Sequence, residues 1–120
     1  MNSLIGLFKT LSDENRIRIM LLLAEQELCV CQMCGVLDLP QPRISKHLAK
    51  LRDKDFVIDD RREQYVFYSI NKKDKILMSI IEDILKNINL YPQLKMDQTR
   101  LKDIDKYLSL CNIENMNRLL

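Results

Sequence analysis

The chain has 120 residues, enough for one domain with a buried core and too few for two. Hydrophobic residues make up 47% of it and only two residues are glycine, which favours a largely helical protein over a turn-rich β protein. The formal net charge is +2, so a surface for an acidic partner must come from local clustering of Lys and Arg. The longest apolar run near the N-terminus, residues 19–24, is too short to cross a membrane. We therefore predict a cytoplasmic protein with no membrane partner.

Apolar residues at helical spacing predict four helices in the first part of the chain. The first covers residues 4–11, and a second, capped by Ser12, runs to about Glu25. A short third helix follows the cysteine-rich stretch and ends near Asp38. The prolines of "DLPQP" then interrupt the chain, and a fourth helix is predicted over Gln41–Asp53.

The pattern changes after residue 55. The β-branched and aromatic runs "FVIDD" and "QYVFYSI", separated by "RRE", predict a β-hairpin with a charged tip. A long helix is predicted from about Lys73 to Leu90, and the segment after Pro92 has the pattern of another amphipathic helix. The predicted fold is mainly α with a small β-hairpin wing, a winged helix–turn–helix. We assign residues 1–92 to that domain and residues 93–120 to a C-terminal amphipathic tail.

The fourth predicted helix has two distinct faces. At about 100° per residue, Ile44, Leu48 and Leu51 fall on one stripe that faces the core. The opposite face carries small and basic side chains, of which Arg and Gln suit base edges and Lys suits phosphates. A charge stripe alone is usually a solvated face, but a hairpin beside it favours double-stranded DNA as the partner. The predicted DNA contacts are Gln41, Arg43, Ser45, Lys46, Lys50, and Arg61 and Arg62 at the hairpin tip.

His47 is the only histidine and lies about 60° from the apolar stripe of this helix. That position predicts a half-buried structural side chain rather than a metal ligand. A contact with DNA is the alternative.

Three of the four cysteines fall within six residues, in "ELCVCQMC". In a cytoplasmic chain such clustering indicates metal binding or redox chemistry, although single cysteines are often only small buried hydrophobes. In an uninterrupted helix Cys31 and Cys34 lie within about 60° of each other, whereas Cys29 is about 140–160° from both. The three sulfur atoms can therefore meet at one atom only if Cys29 precedes the helix or the first turn unwinds.

Three stretches, "LSDENRIRIMLLL", "ELCVCQMC" and "QPRISKHLAKLRDKDFVIDDRREQYVFYSI", give the sequence its resemblance to the arsenical-resistance repressor (ArsR) family of bacterial metalloregulators. Within them "ISKHLAKLR" resembles the family's recognition helix and "ELCVC" its inducer-binding segment. Family members with a third cysteine three residues further on sense trivalent arsenic and antimony. The resemblance thus implies Cys29, Cys31 and Cys34 as the sulfur ligands. The chain departs from the family at three places. Gln32 stands where family members often have Asp, Asp55 stands where they usually have Gly, and the wing tip "RREQ" contains no Gly.

Three thiolates form a stable pyramid around As(III) or Sb(III), whereas Zn(II) and Cd(II) usually take a fourth ligand. The leading interpretation is a repressor, not an enzyme, that releases its operator when three cysteines bind As(III) or Sb(III). The fourth cysteine, Cys111, continues the apolar stripe of Leu101, Ile104 and Leu108, which favours a packed side chain. As a fourth thiolate it would instead complete a site for Cd(II), Pb(II) or Zn(II).

Three other classes remain open from the sequence. A DNA-binding regulator could be switched by thiol oxidation instead of metal binding. "CQMC" is a C-x-x-C motif, as in thiol oxidoreductases, although it does not follow a strand in a βαβ pattern. An interaction module with a structural zinc is the last class.

Apolar stripes on the first helix and on the long helix after the hairpin exceed what so small a core needs. ArsR-family members dimerise through the corresponding helices, and we predict a homodimer here. The residues assigned to its interface are Leu4, Leu7, Phe8, Leu77, Ile81, Ile84 and Ile88. Two-fold symmetry would place the two recognition helices about 34 Å apart, on a pseudo-palindromic operator.

Overall fold

The computed structural model describes residues 1–104, and all structural statements below concern those residues. The elements in chain order are α1 (Asn2–Leu11), α2 (Glu14–Glu25), β1 (Leu28–Cys29), α3 (Val30–Leu37), α4 (Gln41–Asp53), β2 (Val57–Arg62), β3 (Tyr65–Ile70), α5 (Lys75–Lys86) and α6 (Pro92–Leu101), with a 3-10 turn at Ile88–Leu90. The fold is mainly helical with a three-stranded antiparallel sheet, which confirms the predicted winged helix–turn–helix.

The N-cap of helix α2 lies one residue later than predicted. The Asp13 carboxylate accepts a hydrogen bond from the backbone N–H of Arg16 at 3.1 Å, so Asp13 is the N-cap. Ser12 instead donates its hydroxyl to the carbonyl oxygen of Lys9 at 2.7 Å and closes α1. The prediction of Ser12 as the cap was wrong. A carboxylate at this position also interacts favourably with the positive end of the helix dipole.

Helices α3 and α4 form the helix–turn–helix. Asp38 ends α3 in the left-handed conformation, with φ 54°, and Pro40 precedes the first turn of α4. The prediction of α4 over Gln41–Asp53 is confirmed. The core beneath these helices contains side chains with 0% exposure, namely Ile19, Met20, Leu28, Met33, Val36, Ile44, Leu48, Leu51, Leu77 and Ile81.

The wing is the hairpin of β2 and β3, whose register runs from Val57 opposite Ile70 to Arg62 opposite Tyr65. Asp55 and Glu63, at the helix–wing junction and the wing tip, have φ angles of 61° and 56°. A left-handed conformation costs residues other than Gly roughly 1–2 kcal/mol. The chain therefore makes both turns of the wing without glycine.

The short strand β1 was not predicted. It pairs antiparallel with β3, placing Leu28 opposite Tyr68 and Cys29 opposite Phe67. Strand β3 is thus the central strand of the sheet, and β1 lies along its other edge. Two residues are too few to show the period-two alternation from which strands are predicted.

Helix α5 is shorter than the predicted helix from Lys73 to Leu90. It ends at Lys86, where the Asn87 side chain donates to the carbonyl oxygen of Asp83 at 2.8 Å. That hydrogen bond satisfies a carbonyl at the helix end, and the chain continues as the 3-10 turn.

The segment after residue 92 continues as α6, which packs against α2 and α3. Leu94 and Leu101 are buried there. Leu108 and Cys111 lie outside the described residues, and the division of the chain at residues 92 and 93 stays a prediction. Within residues 1–104, each helix is too short or too polar to cross a membrane.

Candidate metal centre and nucleic-acid interface

Cys29 lies at the junction of β1 and α3. Its backbone is extended, with φ −87° and ψ 166°, and it is the N-cap of α3. The backbone N–H of Cys29 donates to Oε1 of Gln32 at 2.9 Å, while its sulfur faces the backbone N–H of Gln32. The residue is 1% exposed. Of the two arrangements allowed by the sequence, Cys29 before the helix is the one observed.

Cys31 and Cys34 are three residues apart within α3 and therefore lie on one side of it. Both are half-buried, and Cys34 packs against the core. Cys31 is disulfide-bonded in this structure, so a three-thiol set forms only on reduction. Three reduced thiols suit a soft trivalent centre by donor type. In residues 1–104 no three His, Cys, Asp or Glu side chains are gathered closely enough to hold a metal ion. The sequence placed the three cysteines together along the chain, and their convergence on one atom is a proposal.

Gln32 is a residue of this site that the sequence reasoning treated only as a departure from the family. Its side chain is buried, at 9% exposure, and its hydrogen bond fixes the backbone of Cys29. A Gln three residues after a helix N-cap is the signature of a capping box, which was the available signal.

The exposed face of α4 is as predicted from its periodicity. Ile44, Leu48 and Leu51 have 0% exposure. The predicted DNA contacts on the opposite side are all exposed, namely Gln41, Arg43, Ser45, Lys46 and Lys50. The charges of Arg43, Lys46 and Lys50 are accessible to a phosphate backbone, and the contacts of all five residues with DNA stay a prediction.

His47 lies at the edge of this face, with its side chain 12% exposed and Nε2 at 3.9 Å from Oδ1 of Asp13. Burial lowers the pKa of His47, and the nearby Asp13 carboxylate offsets only part of that effect. The imidazole is therefore mostly neutral at pH 7. It is half-buried beside the α2 cap, which is the predicted structural position.

The two arginines of the wing have different environments. They are the last residues of β2 rather than the turn itself, and neighbouring side chains on a strand point to opposite faces. Arg62 donates to both carboxylate oxygens of Glu27, at 2.6 and 2.8 Å, and to Asp60 at 2.9 Å. Its guanidinium also lies 4.9 Å from the centre of the Phe67 ring. The hydrogen bonds with Glu27 and then Asp60 raise the pKa of Arg62.

Arg61 makes no ion pair or side-chain hydrogen bond with any residue in the described part of the chain. The sequence predicted both arginines as DNA contacts. The structure leaves Arg61 exposed for that role, whereas Arg62 is already bound to two carboxylates.

Two arginines, Arg18 on α2 and Arg100 on α6, connect α6 and α2 with the C-terminal half of α3. Arg18 donates to both carboxylate oxygens of Asp97 at 2.9 Å and to the carbonyl oxygen of Leu37 at 2.9 Å. The side chains of this ion pair are only 11% and 3% exposed. Arg100 donates to the carbonyl oxygen of Gly35 at 2.7 Å. The sequence reasoning missed this network, because its partners lie far apart along the chain.

The predicted dimerisation residues divide by burial into a buried group and a group with exposed surface. Four of them are buried in the core of the single chain, namely Leu7, Leu77, Ile81 and Ile88. Leu4 and Phe8 on α1 are 40% and 53% exposed, and Ile84 on α5 is half-buried. Ile5 and Ile76, which were not predicted, add exposures of 47% and 55% to the same two helices.

Residues 13–59 match the family described as "Bacterial regulatory protein, arsR family". The chain is 41% identical over 101 residues to the arsenic resistance transcriptional regulator ArsR2 of Pseudomonas putida, covering 82% of this chain and 85% of that one. It belongs to the ArsR family. That family consists of regulatory proteins, which removes the thiol oxidoreductase from the alternatives.

Two further relatives match this ArsR-family chain over shorter segments. The arsenical resistance operon repressor of Escherichia coli is 48% identical over 68 residues, which cover 56% of this chain and 58% of that repressor. The cadmium resistance transcriptional regulatory protein CadC of Listeria innocua is 41% identical over 76 residues, covering 62% and 63%. The chain thus spans less than two thirds of the length of both.

Solved structures show the same fold. Reduced HlyU from Vibrio cholerae N16961 matches with a TM-score of 0.67 and 30% identity, covering 75% of this chain and 90% of that one. The AntR antimony-specific transcriptional repressor matches with a TM-score of 0.65 and 25% identity, covering 77% and 82%.

Proposed function

We propose that this ArsR-family chain is a cytoplasmic, homodimeric repressor whose Cys29, Cys31 and Cys34, in their reduced form, bind As(III) or Sb(III) and release operator DNA. The observation that carries the proposal is the position of the cysteines. They form the N-cap and one side of α3, the helix that packs directly against the recognition helix α4. A change in the first turn of α3 therefore acts on the element that contacts DNA.

Binding to DNA rests on α4 and the wing. Helix α4 presents its exposed basic face to the major groove, and Arg61 lies where the wing meets the adjacent backbone. Phosphate contacts of this kind release counterions, so operator affinity should fall steeply as salt is raised. The operator is a pseudo-palindrome, because a two-fold dimer presents two equivalent helices.

Release of DNA is proposed to follow from the different backbone settings of the three cysteines. Cys29 is extended, buried and hydrogen-bonded through its backbone to Gln32, whereas the other two cysteines lie within α3. Bringing three sulfurs to one centre requires the junction of β1 and α3 to rearrange. Coupling free energies between two sites are typically about 1–3 kcal/mol, or roughly 5- to 150-fold in affinity.

The dimer is proposed to use the exposed apolar side chains of α1 and α5. Leu4, Ile5 and Phe8 on α1 and Ile76 on α5 have 40–55% of their surface exposed in the single chain. When a second copy of the chain covers apolar surface of this kind, its removal from water stabilises the dimer. The buried residues of the predicted set would then support this surface from beneath.

The test is fluorescence anisotropy of the reduced protein on its promoter fragment, titrated with arsenite. We expect binding without arsenite and release with it, and we expect Cys34→Ser to bind the operator normally but resist release. Cys111→Ser is the matched control and should respond as wild type. Failure of the folded, reduced protein to bind any segment of the promoter would contradict the repressor.

A cadmium sensor is the second candidate, favoured by the 41% identity with CadC. The same titration with cadmium separates the two. Release by cadmium but not arsenite, abolished by Cys111→Ser, would replace the three-thiol site with a four-thiolate site.

A further inference from the structure

The strand that carries Cys29 is attached to the wing by side chains as well as by its backbone. Glu27 immediately precedes β1, and its carboxylate accepts two hydrogen bonds from Arg62 on β2. These two residues are 35 positions apart, and we call them the β1–wing ion pair. It spans the sheet, because β1 and β2 lie on opposite edges of β3.

Arg62 also contacts the residue that pairs with Cys29. Its guanidinium lies 4.9 Å from the centre of the Phe67 ring, and Phe67 stands opposite Cys29 in the β1–β3 ladder. The same side chain thus touches the residue before β1 and the ladder partner of Cys29. These contacts join the surroundings of Cys29 to the wing without passing through α4.

Strand β1 has only two residues, so its ladder supplies few hydrogen bonds to hold it on β3. Exposed ion pairs contribute little when they are single and mobile. The β1–wing ion pair is bidentate, is extended by Asp60, and stacks on an aromatic ring, which are the features that give such pairs an effect. Burial of Leu28 and Cys29 anchors the strand in the core, and the β1–wing ion pair adds a second attachment at its exposed start.

We propose that Glu27 and Arg62 are positioning residues that hold the Cys29 strand on the wing, so that drawing Cys29 out of β1 also frees the wing. This inference rests on the proposed function for its ligand. In this proposal Arg62 couples the cysteine site to the wing, and Arg61 is the wing arginine that contacts DNA. The wing then becomes a second output of the switch beside the recognition helix.

The chain offers a matched control in a second ion pair of the wing. Arg52 on α4 donates to Asp59 on β2 at 3.3 Å, and both side chains are about as exposed as those of the β1–wing ion pair. This contact ties the wing to the recognition helix and does not involve β1. Asp59→Asn removes an exposed Arg–carboxylate ion pair that links the wing to α4 instead of to β1.

The first experiment needs no metal. Cys29 is 1% exposed, so its alkylation in the reduced protein reports how often β1 opens. We expect Glu27→Gln and Arg62→Gln each to accelerate alkylation of Cys29 by about two- to fivefold, with no change at Cys34. Arg62→Lys should recover part of the protection, and Asp59→Asn should behave as wild type. Unchanged Cys29 alkylation in both variants, or equal acceleration by Asp59→Asn, would overturn the proposal.

The second experiment measures operator affinity with and without arsenite. If the ion pair couples the sites, Glu27→Gln should lower the affinity of the metal-free protein about two- to fivefold and leave the arsenite-bound affinity unchanged. The ratio of the two affinities then falls by the same factor. A merely structural role would lower both affinities equally and leave the ratio intact, which would contradict coupling. Absence of any arsenite response in wild type would reject the proposed function, while the alkylation result would still decide whether the ion pair holds β1.

Discussion

Helix α4 and the wing are both parts of the proposed DNA-binding surface, but they are held in different ways. Helix α4 is anchored by Ile44, Leu48 and Leu51, which have no exposed surface, and its basic residues project from the other side. The wing is held by one buried end, by the β1–β3 ladder and by two exposed ion pairs, with most of β2 exposed. In the proposed switch, the firmly packed helix α4 would stay fixed and the more exposed contacts of the wing would be the ones that change.

Truncating the anchor of α4 should have the largest effect. Leu48→Ala removes a fully buried side chain and should lower the free energy of unfolding by about 2–5 kcal/mol. Ile58→Ala on the wing, where the side chain is 50% exposed, should change it by less than about 0.5 kcal/mol. Urea denaturation followed by circular dichroism measures both. Similar losses for the two variants would mean that the wing is as firmly packed as α4.

Removing single charges should weaken operator binding by an intermediate amount. Lys46→Ala and Lys50→Ala on α4 should each cost about three- to tenfold in affinity and reduce the slope of log affinity against log salt by about one. Arg61→Ala on the wing should cost less, because the proposed wing contact is a single side chain at the edge of the docked surface. Anisotropy titrations at several salt concentrations give both quantities. Operator affinity that survived the loss of both lysines would contradict the proposed docking of α4.

The capping contact at Cys29 should have a smaller effect on stability. Gln32→Ala leaves the buried N–H of Cys29 without its acceptor and should lower the free energy of unfolding by about 1 kcal/mol. Gln32→Glu keeps an acceptor at the same reach and should retain most of that stability. Thermal unfolding of the reduced proteins compares them. An equal loss in both variants would show that packing of the Gln32 side chain, not its hydrogen bond, matters.

The smallest expected effect is a pH dependence at the edge of α4. The pKa of His47 is lower in the folded chain than its usual value of 6.5, so the unfolded chain binds more protons between those two values. His47 therefore favours folding above about pH 6.5, and this contribution is lost as the pH falls through its depressed pKa. The groups around it are Asp13, Arg16, Lys46 and Arg43. His47→Gln should flatten the wild-type loss of stability between pH 7 and 5, measured by denaturant unfolding. Parallel curves for the two proteins would contradict this assignment.

Much of the fold could be predicted because its signals are local. The period of Ile44, Leu48 and Leu51 gave the extent and core face of α4. The aromatic and β-branched runs gave the hairpin, and the spacing of the cysteines allowed Cys29 to precede the helix. In each case a few neighbouring residues determine the backbone, since helix and strand periodicities act over one or two turns.

Contacts between distant parts of the chain were decided only by the tertiary structure. The sequence predicts Arg62 as a second DNA contact beside Arg61. In the structure Arg62 pairs with Glu27, which lies 35 residues earlier in the chain and across the sheet. The buried pair of Arg18 and Asp97 joins residues 79 positions apart. The sequence determined which side chains carry charge and thiol chemistry. Which of them meet depends on how β1 and α6 pack, because that packing follows from the whole core and not from any local pattern.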